Sequence, residues 1–369
     1  MADMTSDNNV NISAIRKKWT HMPYEQKDLP AIGLFFKELY MGPGDYGNMG
    51  FFYWKIISNY IRPGIINLIK DGDRIASTTS VTPKLLVYEN EVINAAEIGD
   101  TYTHPDYWRQ GMFSLLINQT RKDAEKKGIN FIYGTPNKLS LPGYQKKANF
   151  DTIKNLNIRS LVFPIDISSR ISKKSHWILG SIIGSIFSIL LFLYFKMKNI
   201  FFFIDKSITI KELNQLPDDW SEFWNHAKEG YDFIINRNVE ATTWRYFDNP
   251  NKYKFISLRK NKGLIGYLVF RIIHDDDTKN IIIADYLTLP GEENSLFIGI
   301  NQIIDKAFEI GVTQVSLWCV ENSPYFKVFK TKGFFARSNV PVICYQNEFA
   351  EKVEHCTSWH FTPGDSDNI

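Results

Sequence analysis

One structural unit is written twice along this chain, and a repeat of that length limits the fold more than any other feature. Trp54-Lys55 in the first half answers to Trp244-Arg245 in the second, and seventeen residues after each Trp lies a turn signal, Asp71-Gly72-Asp73 or Asn261-Lys262-Gly263. A turn of that kind between apolar runs reads as a β-hairpin. Each half then has a strand ending in Asp-x-x-Thr-x-Pro, at 100–105 and at 285–290. Apolar residues at three and four spacing predict helices over 112–127 and 295–310, stopped by Gly128 and Gly311. Short apolar strands follow at 129–133 and 315–318, then a loop with Asn137 or Asn322, a second short helix, and a closing aromatic, Asn149-Phe150 or Gly333-Phe334. Each half is an α+β, or mixed α/β, unit of about 150 residues. Trp54 and Trp244 are expected to be core aromatics, one in each half.

Length agrees, because 369 residues suit two domains of about 150 to 200 residues better than one core. Lys and Arg number 43 against 40 Asp and Glu, so no electrostatic footprint for nucleic acid is present. The three cysteines, Cys319, Cys344 and Cys356, form no CxxC pair, and with a polar N-terminus they point to a reducing, cytoplasmic setting without disulfides. His355, Cys356 and His360 are too loosely spaced for a metal, and Asp275-Asp276-Asp277 reads as a hairpin loop.

Between the halves, 177–195 is a run of nineteen uncharged residues flanked by Arg170, Lys173, Lys174, Lys196 and Lys198. About 20 apolar residues cross a bilayer, but Ser and Gly dilute this run. Spanning the membrane, lying on it and burial between domains all stay open. A span would put the halves on opposite sides and forbid a shared cleft, which favours the other two.

The most informative loop is 104–114. A Pro ends the strand, Gly111 allows a tight turn, and the first amides of the next helix point outward with the positive end of its dipole behind them, which makes an anion site. Arg109 adds a charge. At the same place the second half has Pro290-Gly291-Glu292-Glu293-Asn294, whose carboxylates would repel a phosphate. The repeat therefore implies one working site and one partner domain.

A strand ending in Pro, a Gly-containing loop, a long helix, a strand, an Asn and a closing aromatic together resemble the GCN5-related N-acetyltransferase (GNAT) superfamily, in particular its tandem members with one degenerate domain. The resemblance covers residues 15 to 346. It implies two tandem acyl-CoA N-acyltransferase-like domains, each a mixed, mostly antiparallel sheet flanked by helices. The expected divisions are a disordered tail at 1–14, an N-terminal domain with the acetyl-CoA site at 15–165, a hydrophobic linker helix at 166–205, a degenerate domain at 206–346 and a tail at 347–369. By the same resemblance Arg109, Gln110, Gly111, Met112, Phe113 and Ser114 form the pyrophosphate loop. Thr101, Tyr102 and Thr103 would hold the pantetheine arm, and Asn137 would contact the cofactor. Trp108 and Phe113 depart from the family pattern, which has Arg or Gln and a small residue there.

Acyl transfer to an amine needs a base, an oxyanion donor and a donor for the leaving thiolate. Glu97 and Asp100 are the candidate bases. Strand alternation puts Glu97 with Thr101 and Thr103, and Asp100 with Tyr102, so only one is expected to face the site. Asp285 repeats Asp100 in the half without the anion loop, which argues for a structural role; a water relay is the further alternative. The family's Tyr on the second helix suggests Tyr144, although the usual spacing to the aromatic falls on Gln145. The 359–369 tail, acidic at its end, is read as a frayed polar end before it is read as part of the site.

The leading expectation is an acetyl-CoA-dependent N-acetyltransferase, acting on a small-molecule or saccharide amine bound between the halves. A catalytically inactive membrane-associated adaptor and an aminoacyl-tRNA-dependent transferase of related fold are the alternatives.

Overall fold

A computed structural model of the chain describes residues 19–39, 49–166, 205, 207–275 and 278–366, together with scattered residues between 184 and 197. The expected 1–14 tail, most of the 166–205 linker, the middle of the acidic hairpin loop and residues 367–369 lie outside the described residues.

The first half carries β1 (Thr20–Pro23), α1 (Leu29–Leu39), and α2 (Met49–Phe52), which a π-turn over Tyr53–Ile57 continues. A meander follows, β2 (Ile65–Asp71), β3 (Arg74–Tyr88) and β4 (Glu91–Thr103), then α3 (Met112–Lys126), β5 (Phe131–Gly134), α4 (Leu141–Lys147), β6 (Phe150–Thr152) and β7 (Ile158–Pro164). The second half runs β8 (Ile208–Leu213), α5 (Trp220–Ala227), β9 (Phe233–Ile235), α6 (Val239–Tyr246), β10 (Lys254–Lys260), β11 (Gly263–Asp275) and β12 (Thr278–Thr288). It continues through α7 (Leu296–Glu309), β13 (Gln314–Val320), α8 (Pro324–Lys332), β14 (Phe335–Val340), β15 (Ile343–Tyr345), α9 (Glu348–Val353) and β16 (Trp359–His360).

The local chemistry explains most of these elements. The β10–β11 turn falls on Asn261 and Lys262, both at positive φ, as a two-residue hairpin matched to strand twist requires. Helix α3 buries Met112, Leu116, Ile117, Thr120 and Ala124, one stripe at helical spacing. Each fully buried Leu or Ile there contributes roughly 1.5–3 kcal/mol.

The strands form two mixed sheets with helices packed on them. In the first the order is β1-β2-β3-β4-β5-β15-β6, with β9 added to β3 and β16 to β9; in the second it is β14-β7-β13-β12-β11-β10-β8. Pairing is mostly antiparallel, and β4 with β5 and β12 with β13 are the equivalent parallel pairs. The halves along the chain are not the halves in space. Strand β7 leaves the first half to pair with β13 and β14, and β15 returns from the second half to pair with β5 and β6. The first sheet also takes β9 and β16 from the second half, so neither sheet is built from one half alone.

Two expectations are corrected here. Trp54 and Trp244 do not sit in separate cores; they pack together with Phe51 and Tyr60 in one cluster between the halves. The C-terminal segment is not frayed either. Phe361 to Ser366 is buried, because Asp365 pairs with the buried Arg237 at 2.8 Å and its carbonyl accepts from Tyr133 Oη at 2.7 Å. Arg245 also donates to the carbonyl of Gly364. No helix among the described residues is long and apolar enough to cross a membrane.

Candidate active site

The site begins where β4 and β5 part. They pair over Ala95–Glu97 and Phe131–Tyr133 and then diverge, with Gly134 at the fork. A Cβ on Gly134 would stand 3.2 Å from the Ile98 carbonyl, so a larger residue would wedge the fork. Just beyond, a bulge in β4 shifts the β3 register between Thr78 and Ser80 and puts Asp100 at φ +48. Divergence and bulge open a cleft of about 470 Å³, lined by Gly99 to Tyr102, by the loop after β5 and by Tyr144 on α4. Trp318, Val340 and Pro341, all from the second half, form part of its wall.

The 104–114 loop follows β4, and Phe113, in the first turn of α3, touches Tyr144 of the cleft wall. His104-Pro105 ends the strand, and Arg109 (φ +63) and Gly111 (φ +80) both adopt the left-handed conformation before α3 starts at Met112. A Cβ on Gly111 would meet nothing within 4 Å, and no side chain caps the helix, so the approach to the first amides is open. Arg109 and Gln110 are exposed, and Gln110 accepts from Trp19 Nε1 at 3.1 Å. Met112 is buried, which leaves its amide as its contribution. Ser114 is half-buried in the first turn. Trp108 is 63% exposed, its Nε1 donating to the Thr103 carbonyl at 2.8 Å. Phe113 turns toward α4, where Gly143 makes room for it, and meets Tyr144 edge-on at 5.2 Å. The departure at Phe113 is matched by a compensating Gly.

The strand residues divide. Thr101 Oγ1 lies 2.9 Å from Tyr144 Oη and Thr103 Oγ1 lies 2.8 Å from Ser77 Oγ, whereas the Tyr102 ring packs edge-on against Phe36 on α1. Burial pushes the Tyr102 phenol up to about 12. Asn137 lines the cleft and accepts from the amides of Leu139 and Ser140 at 3.0 and 2.9 Å, which shapes the entry to α4. Its Oδ1 is thus committed to the turn, and its NH₂ is the group suited to a ligand.

Tyr144, not Gln145, lines the cleft; Gln145 is exposed and bonds Asp151 at 3.1 Å. Burial first, and the nearby carboxylates Asp100 and Glu97 in smaller part, raise the Tyr144 phenol above its ordinary value. It stays a proton donor at neutral pH.

The two carboxylates do not alternate as expected. The bulge turns Asp100 so that it accepts from Ser80 Oγ at 2.6 Å, and Ser80 shares a strand face with Thr82, the partner of Glu97. Both carboxylates therefore occupy one face. Asp100 is clamped by the buried Lys55 at 2.8 Å. Glu97 sits at the fork, where its Oε1 accepts from Ser366 Oγ at 3.0 Å and Thr135 Oγ1 at 3.3 Å, with Lys84 Nζ 3.8 Å from Oε2. Thr135 also lies 2.7 Å from Ser366 Oγ and lines the cleft. Ser366 was named in sequence reasoning only as part of the C-terminal tail, and Lys55, Lys84 and Thr135 were not given a role in the site. Lys55 had a signal in its repeat with Arg245; the others had none, since their partners lie far off in the chain.

The equivalent place in the second half is built from different side chains. Asp285 again sits at a bulge, held by Arg237, Tyr246 and Tyr267. The fully buried Tyr286 bridges the divergence of β12 and β13 by donating to the Trp318 carbonyl at 2.9 Å. Glu293 accepts from the Gly291 amide at 3.0 Å, and Glu292 pairs with Lys260 at 3.2 Å.

Parallel strands that fork near an uncapped helix start give the chain a cleft and, close by, a set of free amides suited to an anion. Residues 25–151 match the acetyltransferase (GNAT) domain. Among solved structures, a GCN5-related N-acetyltransferase from Anabaena variabilis is 13% identical, with 88% of this chain and 72% of that one covered at a TM-score of 0.58. The N-myristoyltransferase of Saccharomyces cerevisiae, solved with bound myristoyl-CoA, is 10% identical over 90% of this chain and 83% of its own, at 0.60. A tandem GNAT protein from the clavulanic acid biosynthesis pathway is 11% identical over 88% and 98%, at 0.57. At these identities the likeness is one of fold. Comparison with curated proteins by sequence finds no match.

Proposed function

We propose that the chain is a cytoplasmic acetyltransferase that moves the acetyl group of acetyl-CoA to a primary amine on a small molecule or saccharide by direct attack. The observation that carries this reading is the fork of β4 and β5, with the Tyr144 phenol lining it and an uncapped helix start following β4. In this reading the amides of Gly111 to Ser114, with Arg109 and Gln110, take the pyrophosphate, Thr101 to Thr103 run beside the pantetheine arm, and Asn137 donates to it. The amine nitrogen attacks the thioester carbon, the C–S bond breaks, and Tyr144 gives its proton to the departing thiolate. The proton lost by the amine passes to Thr135 Oγ1 while Thr135 gives its own to Glu97, since Thr135 rather than Glu97 lines the cleft. Asp100, clamped by Lys55, holds the bulge in place. Residues 15–165 are the cofactor-binding half and 206–346 a partner half whose own slot is filled by Tyr286.

One observation favours a longer acyl chain as a second reading: Trp318, Val340 and Pro341 give the far wall of the cleft an apolar character. Calorimetry with acetyl-CoA and with medium-chain and long-chain acyl-CoA tests both. Micromolar binding of acetyl-CoA, abolished by Gly111→Glu, supports the first. Tighter binding of the longer thioesters supports the second, and no binding of any of them removes both.

A further inference from the structure

The uncharged run at 177–195 has basic residues on both sides in the sequence, Arg170, Lys173 and Lys174 before it and Lys196 and Lys198 after it. Its described residues are helical and sort onto two faces. One face belongs to the protein: Phe195 is buried in the core of the second sheet, its ring 5.6 Å from Phe163, and Phe192 meets Phe308 of α7 edge-on at 4.9 Å. On the other, Ile186, Ile189, Leu190, Leu193 and Met197 are 50 to 60% exposed. Their spacing of three and four residues makes them one continuous row. A row of five large aliphatic side chains on a folded surface marks an interaction site.

Three occupants could cover it, and the packing and charge of the helix separate them. A spanning helix offers apolar side chains to lipid all round, whereas this one has a face committed to Phe163 and Phe308. A second copy is disfavoured because both ends of the stretch are basic, so parallel and antiparallel pairing alike set positive charge against positive charge. A bilayer with anionic headgroups satisfies both the apolar row and its basic ends. Trp177 and Tyr194, near the two ends of the run, are the residue types that settle at headgroup level. The carboxylates next to the helix on α7 are Asp305 and Glu309, and Glu309 pairs with Lys306 at 2.9 Å.

We propose that this helix lies in the plane of an anionic bilayer, with its exposed row among the acyl chains, and holds the enzyme at that surface without crossing it. The inference goes beyond the acetyl-transfer reading and does not depend on it.

The test is sedimentation of the full-length protein with vesicles of phosphatidylcholine alone and of phosphatidylcholine with phosphatidylserine. The protein should sediment with the anionic vesicles, and added salt should weaken its partition by roughly tenfold. The variant Ile186→Asp/Leu190→Asp/Leu193→Asp should stay in the supernatant. Should that variant fail to fold, Lys196→Glu/Lys198→Glu keeps the apolar row and should lose the preference for phosphatidylserine. Absence of sedimentation with either vesicle, or equal partition into both, overturns the proposal. So does a stable dimer dispersed by the Asp variant, which assigns the face to a second copy, or resistance to alkaline extraction from cell membranes, which assigns a span.

Discussion

The indoles of Trp54 and Trp244 are stacked, with ring centroids 4.2 Å apart and planes inclined by 16°, and Trp54 Nε1 donates to the Trp244 carbonyl at 3.1 Å. The two residues that mark equivalent places in the repeat therefore meet each other. Trp244→Ala should cost about 3–5 kcal/mol, the range for removing a large buried aromatic. Because strands β7 and β15 are exchanged between the sheets, the loss should lower a single unfolding transition. Two separated transitions in urea, only one of them shifted, would count against such coupling.

Tyr144→Phe removes the phenol that donates in the proposed reaction while leaving the ring against Phe113 and Phe150. The expected result is a fall in kcat of about 10²-fold, the scale of general acid catalysis, with acyl-CoA affinity little changed. Since burial raises the phenol above its ordinary value of 10, no loss of activity from its ionisation is expected below pH 10. A wild-type pH profile falling between pH 8 and 9 in step with loss of this group would remove it from the role.

Thr135→Val deletes the hydroxyl between the cleft and Glu97 at almost constant volume. If that hydroxyl passes the proton, kcat should fall by roughly tenfold or more while the KM for acyl-CoA holds, and Thr135→Ser should restore it. A rise in KM alone would make Thr135 a binding residue.

The buried cluster around Arg237 should give the protein an acid-sensitive latch. Desolvation works against the Asp285 charge, but Arg237 and the hydrogen bonds around it prevail and hold its carboxyl well below the usual carboxylate range. A depressed folded value contributes stability that is present above the unfolded value near 3.8 and is lost as pH falls toward the folded one. The urea midpoint should therefore drop below about pH 4, and Asp285→Asn should flatten that drop while destabilising the protein at pH 7. Removing Arg237 should cost about 3–5 kcal/mol at pH 7, because Asp285 and Asp365 are left buried without their cation. Equal midpoints for wild type and Asp285→Asn from pH 3 to 7 would show that the cluster is not acid-sensitive.

If Tyr286 fills the second slot, calorimetric titration with acetyl-CoA should return a stoichiometry of one per chain. Two equivalent sites would mean that Tyr286 moves aside.

What the sequence by itself determined about this protein is its local grammar. The hairpin at Asn261-Lys262, the apolar stripe of α3, the stop at Gly128 and the open turn at Gly111 follow from the φ preferences and periodicities of residues close together in the chain. The repeat followed from the same signals written twice, and the departure of Glu292 and Glu293 from Arg109 could be read by setting one copy against the other. Tertiary structure alone decided the rest. The exchange of β7 for β15 could not be read, because either strand is apolar enough to sit beside β5 or β13 and pairing between residues so far apart in the chain leaves no local mark. The bulge at Asp100 moved a carboxylate to the other strand face, which strict alternation cannot foresee. The polar tail became a buried latch because Asp365 meets Arg237, more than 120 residues earlier, a buried guanidinium that also holds Asp285.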